Sequence, residues 1–488
     1  MSNRPVFPTA GLAALVAAAA LCVRGADAPA PFGPVPTERQ LKWHNLEFYG
    51  FLHFTVNTFT DREWGEGDED EKVFNPTDFD ADQIVRTAKE AGMAGVILTA
   101  KHHDGFCLWP SAYTEHSVKN SPWRGGKGDV LRELSYACRQ NNLRFGIYLS
   151  PWDRNHKDYG RPEYITYYRQ QLGELLVKYG PIFTVWFDGA NGGTGYYGGA
   201  REKRQIDNRT YYDWDNTWKL VRQLQPRAVM FSDAGPDTRW VGNESGVAGD
   251  PCWATIDPTD RRPGGRSDGL NSGERQGSAW IPAECDVSIR PGWFYHEKED
   301  GRVKTPRQLV DIYYQSVGRG AGLNLNLPPD RRGKINDHDI ASLRGFRAIL
   351  DATFAKDLAR EARVTASSTR EGGDQFAAAN VISVREGSYW AAADKAANPE
   401  LVLEFKDPVT FNVVSLAEYL PLGQRIDAFT LEVWKGGAWT EYAHGTSIGH
   451  KRLVRGKPVN TTKLRVRITQ AAASPALARV GVFAEPEQ

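Results

Sequence analysis

Two carboxylates and a set of imidazole and aromatic side chains fall at positions where they could do chemistry. Asp188 ends the run Phe183-Thr184-Val185-Trp186-Phe187, an apolar, aromatic and β-branched stretch bounded by Pro181 and by glycines from Gly189 on. Such a run reads as a buried strand that stops at a charge, with Asp188 on the same face as Trp186. Asp-Gly is also a turn dipeptide, so a turn cap would account for Asp188 taken alone. Other strand-like runs end in the same manner. His53 follows Tyr49-Gly50-Phe51-Leu52, His102 and His103 follow Gly95 to Ala100, and Tyr148 lies near the end of Arg144 to Leu149. A loop after a fifth run carries Arg239-Trp240-Val241-Gly242-Asn243-Glu244, and one after a sixth carries Trp293. A lone histidine in an apolar strand is usually a satisfied core residue. The pair His102 and His103 lacks a third ligand at suitable spacing, so no metal and no cofactor are expected. Several independent strands ending in hydrogen-bonding or aromatic groups are harder to explain by packing.

One strand-end Asp and one loop Glu are what a retaining glycosidase needs. An ionised carboxylate attacks the anomeric carbon, and a protonated one gives its proton to the leaving oxygen. Asp188 suits the first role. Glu244, between Trp240, Gly242 and Gly246, suits the second if its surroundings are apolar enough to hold its proton; a solvated Glu in a Gly-rich loop fits the same residues. Glu274 and Glu284 stand next in line as acids.

The elements that must position these groups alternate. Helical periodicity over 79–91, 130–141, 164–179, 211–225 and 305–317 separates apolar strands at 49–54, 95–100, 144–149, 183–188, 228–232, 285–289 and 322–327. Strands alternating with longer helices, with polar residues at one end, predict a (β/α)8-like barrel, irregular in its second half, over residues 35–358. A helix from Asp337 leads to a boundary near residue 360. Beyond it, period-2 segments separated by Gly, Pro, Asn and Asp predict an antiparallel β-sandwich over 362–488.

The whole chain bounds the rest. Its 488 residues carry 60 Lys plus Arg against 60 Asp plus Glu, without a basic stripe, so no nucleic-acid partner is expected and the substrate is read as neutral. The 15 tryptophans often sit beside glycines and polar residues, an arrangement that suits sugar faces. Arg4, an Ala/Leu/Val-rich stretch from Ala10 to Val23 and a following Pro-rich segment have the layout of a signal peptide ending near Ala28, implying a secreted or periplasmic protein. Leu21 before Cys22 argues against a lipid anchor, and no transmembrane segment is expected. Cys107, Cys138, Cys252 and Cys285 read as free buried thiols, with one disulfide an open option. The acidic run Glu66 to Glu71 reads as a solvated loop rather than a calcium site.

Gly50-Phe51-Leu52-His53-Phe54, Glu63-Trp64-Gly65, Ala100-Lys101-His102-His103-Asp104-Gly105-Phe106, Gly146-Ile147-Tyr148-Leu149-Ser150-Pro151-Trp152 and Trp186-Phe187-Asp188-Gly189 resemble the α-L-fucosidases of glycoside hydrolase family 29. The resemblance covers roughly residues 40 to 350. It implies Asp188 as nucleophile, and His53, Glu63, Trp64, His102, His103, Tyr148, Trp186 and Trp293 around a terminal fucose of an oligosaccharide. The Arg239 to Glu244 segment looks like the acid/base segment of the branch that prefers α-1,3/1,4-linked fucose, which implies Glu244. Another exo-glycosidase, such as a galactosidase, and a glycan-binding protein without turnover are the rival readings. The C-terminal part resembles discoidin-like (factor 5/8 type C) galactose-binding domains, read here as bracing the enzyme more than binding glycans.

Overall fold

The computed structural model describes residues 27–257, 262–264 and 268–486; the expected leader falls almost wholly outside them. Eight parallel strands close a barrel: β1 (Phe48–Leu52), β2 (Gly95–Lys101), β3 (Arg144–Leu149), β4 (Ile182–Trp186), β5 (Val229–Ser232), β6 (Thr238–Trp240), β7 (Ala283–Ser288) and β8 (Gly322–Asn326), each beside its sequence neighbour, with β8 closing onto β1. Barrel helices are α1 (Ala81–Glu90), α2 (Val130–Asn141), α3 (Pro162–Lys178), α4 (Trp214–Leu224), α5 (Pro306–Gln315) and α6 (Asp337–Phe354). Local signals set their ends. Asp80 and Asp129 cap α1 and α2 by accepting the backbone N–H groups of Gln83 and Arg132, each at 2.9 Å. Thr305 and Gln308 form a reciprocal capping box, with Pro306 in the first turn of α5.

One expectation needs correction. Residues 238–240, read as loop, are a barrel strand, so Glu244 follows β6 and Trp293 follows β7. The β5–β6 step uses only residues 233–237 and β6–β7 is a long excursion, and among the described residues neither carries a crossover helix. Among the described residues, this is the irregularity expected of the second half.

Two packing layers result. Tyr49, Phe51, Ile97, Tyr148, Trp186, Val229 and Phe231 fill the barrel interior, while the larger cluster lies between strands and helices. Gly146 is needed in the interior: a Cβ there would sit 2.8 Å from Thr184 and 2.9 Å from the Phe183 ring.

The C-terminal unit is an antiparallel sheet of β9 (Arg363–Ala366), β10 (Trp390–Ala391), β11 (Glu400–Glu418), β12 (Ile426–Lys435), β13 (Ala438–Gly445), β14 (Arg452–Ala471) and β15 (Ala476–Phe483), ordered β10-β15-β11-β14-β12-β13 with β9 on β11. The long strand β11 pairs with β14 through register shifts at bulges. The sheet's core is its own, including Trp390, Leu403, Phe411, Leu431, Val466 and Val482. It grips the β6–β7 excursion. Gln424 accepts the Ala254 N–H at 2.8 Å and donates to the Cys252 carbonyl at 3.1 Å, and Arg452 forms a two-point pair with Asp250 at 2.9 and 2.8 Å. Cys107, Cys138, Cys252 and Cys285 are buried and unpaired. No helix among the described residues is long and apolar enough to cross a membrane.

Candidate active site

Asp188 lies two residues past the end of β4, at the C-terminal mouth of the barrel. Its Oδ1 accepts the Ala190 N–H at 2.7 Å, its Oδ2 accepts the Tyr148 hydroxyl at 3.0 Å, and His103 Nε2 lies 3.9 Å from Oδ2. Burial, together with the Asp188 charge, holds the Tyr148 phenol well above its usual range, so it remains a donor. Tyr148 stacks on Trp186 at 5.5 Å, and Trp186 lies flat on Phe231 at 4.0 Å. The Trp186 indole N–H is tied by Glu284 at 2.8 Å. The nucleophile candidate is therefore oriented by a rigid aromatic stack.

The histidine tautomers follow from their partners. Asn326 spends its amide N–H groups on Ser288 Oγ (2.9 Å) and the Trp293 carbonyl (2.8 Å), so its oxygen, 2.8 Å from His53 Nδ1, must accept. His53 thus carries its proton on Nδ1 and keeps Nε2 as an acceptor. Ser150 donates to the Trp152 carbonyl at 2.7 Å, so His103 Nδ1, 2.7 Å from Ser150 Oγ, is the donor there and His103 Nε2 is also an acceptor. Burial lowers all three imidazoles, His53 to about 4 and His102 well below the usual range. His102 Nδ1 is buried without a partner. Neutral rings offering lone pairs suit sugar hydroxyls as donors.

Glu244 is exposed, so of the two environments left open by the sequence it has the solvated one; its carboxylate accepts the Trp293 indole N–H at 3.2 Å. Trp293 lies 5.0 Å from the His53 ring. Trp64 is half exposed, edge-on to His103 at 5.1 Å and to Trp152 at 5.7 Å. Glu63 bonds the backbone of the Trp293 loop rather than standing free. Of the alternative acids, Glu284 is not at the mouth. It is buried among Tyr49, Trp186 and Asn324, and burial pushes its carboxyl up to about 7. Glu274 bonds the Asp257 N–H at 2.6 Å. In the acidic run Glu66, Asp68 and Asp70 are exposed, and the run is also held by ion pairs: Glu66 with Arg154 (2.5 Å), Asp68 with Arg201 (2.8 Å) and Glu71 with His116 (2.7 Å).

Three groups escape the sequence reading. Asn326 orients both His53 and Trp293. Asp286 accepts the Trp240 indole N–H at 2.8 Å, and burial, reinforced by Glu244 and Glu284, holds its carboxyl well above the usual range. Asp233 packs directly against Gly189, where a Cβ would sit 2.3 Å from its carboxylate, and is pushed up to about 7 by burial and then by Asp188. The signal was there: Glu284, Asp286 and Ser288 on β7, and Asn324 and Asn326 on β8, alternate with apolar residues at strand period and so share the inward face.

Comparisons with known proteins point to one family. The α-L-fucosidase family profile matches residues 35–352. The chain is 44% identical over 461 residues to Alpha-L-fucosidase 1 of Arabidopsis thaliana, covering 93% of this chain and 88% of that one. Among solved structures it is similar to a putative α-L-fucosidase from Bacteroides thetaiotaomicron (TM-score 0.86, 41% identity, 94% of this chain and 99% of that one). It is also similar to a Ruminococcus gnavus GH29 fucosidase in complex with fucose (TM-score 0.86, 32% identity, 95% and 98%). With its eight-stranded barrel, its strand-end imidazoles and a match over most of its length, the chain belongs to the α-L-fucosidase family of glycoside hydrolases.

Proposed function

We propose that this enzyme is an exo-acting, retaining α-L-fucosidase that removes terminal α-1,3/1,4-linked L-fucose from oligosaccharides or glycoconjugates. The observation that carries the reading is the set of fixed contacts on Asp188, with Tyr148 donating to one oxygen and a backbone amide to the other. In this reading Asp188 attacks C1 of fucose as the C1–O bond breaks, and Glu244 gives its proton to the departing sugar oxygen. Glu244 then takes a proton from water, whose oxygen attacks C1 and frees Asp188. His53, His102 and His103 accept from fucose hydroxyls, and Glu63, Trp64, Tyr148, Trp186 and Trp293 shape the site. The linkage preference rests on the Arg239 to Glu244 segment. Proton NMR of the first-formed fucose, on α-1,3-, α-1,4- and α-1,2-fucosylated trisaccharides and an aryl α-galactoside, tests it. Release of α-fucose from the first two substrates is expected. First-formed β-fucose, or faster cleavage of the α-1,2 linkage or the galactoside, overturns the reading.

The N-terminal segment supports export to the periplasm or beyond after cleavage near Ala28, which mass spectrometry of the mature N-terminus checks. The C-terminal sheet is proposed as a discoidin-like brace, supported by its contacts to the backbone of residues 250–254.

A further inference from the structure

The loop that follows β7 places Trp293 in the site, yet what holds that loop lies behind the sugar-facing groups. Glu63, from the loop after β1, accepts the Trp293 N–H at 2.7 Å on Oε2 and the Phe294 N–H at 3.2 Å on Oε1. Behind it stands His296, a buried ring with a carboxylate on either side. Its Nε2 is 2.6 Å from Glu63 Oε1, and its Nδ1 is 2.6 Å from Asp61 Oδ1. A carboxylate at each nitrogen requires a donor at each, so the ring carries both protons. Both carboxylates favour that form against the opposing effect of burial. Gly292 makes the approach possible, since a Cβ there would lie 2.5 Å from Glu63 Oε1 and 3.1 Å from His296 Cδ2. The other charged groups nearby bond elsewhere: Lys298 is 3.9 Å from Asp61, Arg290 donates to the His296 carbonyl at 3.4 Å, and Glu299 accepts the Gly292 N–H at 3.1 Å.

We infer that His296 is a positioning residue for proton transfer: by bridging Asp61 and Glu63 it fixes the backbone of Trp293, whose indole N–H in turn holds the Glu244 carboxylate. The ring touches neither the Asp188 carboxylate nor Glu244. Its influence runs through a two-loop clamp, from the β1 side of the mouth to the β7 side, ending on the acid. The inference rests on the reading of Glu244 as general acid. An acid displaced by about an ångström loses on the order of 100-fold in rate, and only where protonation of the leaving group matters.

The test is single-turnover rates at saturating substrate for His296→Gln, Glu244→Ala and the double variant, on a fucosylated trisaccharide and on a nitrophenyl fucoside. Working at saturation removes any weaker binding through the Trp293 ring. His296→Gln is expected to slow the trisaccharide about 10- to 100-fold and the aryl fucoside less than about 3-fold, and to add nothing in the Glu244→Ala background. Asp61→Asn changes the half-exposed far end of the bridge with little effect on folding, and should show the same selectivity at smaller size, which covers the case of a misfolded His296 variant. Equal fractional losses on both substrates, or a full further loss in the Glu244→Ala background, overturn the inference while leaving Glu244 as the acid. Equal losses for Glu244→Ala itself overturn the reading beneath it, and this inference with it.

Discussion

Replacing Asp188 with Asn should separate chemistry from folding by several orders of magnitude. The side chain is 24% exposed, and the amide keeps most of its contacts. Oδ1 still accepts the Ala190 N–H at 2.7 Å, and the new NH2 group faces the Tyr148 oxygen at 3.0 Å, which can accept in place of donating. What is lost is the charge assistance of both hydrogen bonds, about 2 kcal/mol together, so the melting temperature should fall by no more than about 4 °C. Catalysis loses its attacking anion. Removal of a nucleophile of this kind costs ~10^5- to 10^6-fold in kcat, or about 7–8 kcal/mol at 1.36 kcal/mol per tenfold. The assay is release of nitrophenol from an aryl α-L-fucoside beside thermal melting of the same preparations. Asp188→Ala opens the space the carboxylate held, and added azide should restore part of the rate and yield β-L-fucosyl azide, the product of a single inversion. A variant within tenfold of wild type, or an azide product of retained configuration, would remove Asp188 from the mechanism.

Glu244→Ala should slow a fucosylated trisaccharide far more than the fucosylation step with a nitrophenyl fucoside, since a nitrophenolate leaves without protonation, and should flatten the alkaline limb of the pH profile; equal losses with the limb unchanged would refute it. His53, lowered to about 4 by burial, binds no proton in the folded state over a range where the unfolded chain does. Its contribution to stability is therefore complete above about pH 6.5 and is lost as pH falls towards 4. The stability difference between wild type and His53→Gln should shift by up to about 3 kcal/mol across that window, and a difference independent of pH in denaturant titrations would refute the neutral assignment. Lys101→Met strands the buried Asp153, now 2.8 Å from the ammonium, and should destabilise the fold by about 3–5 kcal/mol at neutral pH. Burial alone would raise Asp153, and Lys101, joined by the His156 ring and its backbone N–H, more than offsets that, so its carboxyl is lowered in the fold. Its contribution is present above its unfolded value and lost on acidification, so the penalty in Lys101→Met should shrink as pH falls; a penalty that grows in acid would be the contrary result.

The strand-end groups of the first half were legible because each apolar run breaks at a polar residue, and a barrel collects such breaks at one face. The sixth strand was not. Thr238-Arg239-Trp240 is three residues long with a charge at its centre, and Arg239 is buried with its guanidinium donating to the backbone carbonyls of Leu270, Ile281 and Trp253. Those partners come from the long excursion that follows, so no local pattern marks the strand. On β7 and β8 the pattern was present but inverted, with polar residues inward, because the inner face there builds hydrogen bonds to Trp186, Trp240 and His53 rather than an oily core. The environment of Glu244 was not legible: sequence proximity to Trp240 does not place the indole against it, and Trp240 turns instead to Asp286.

Glu63 shows how a resemblance and a structure can assign one side chain two tasks without conflict. The family resemblance gives it to the sugar, while its contacts are the Trp293 and Phe294 amides and the His296 ring. A carboxylate offers about four lone-pair positions. Oε1 uses two, for Phe294 and His296, and Oε2 uses one, for Trp293, which leaves one acceptor position on Oε2. A fucose hydroxyl bound there would meet an oxygen already fixed to the Trp293 backbone. Sugar binding and the Trp293 loop would then be coupled through a single carboxylate, and filling the fucose site would itself help to hold the tryptophan that steadies Glu244.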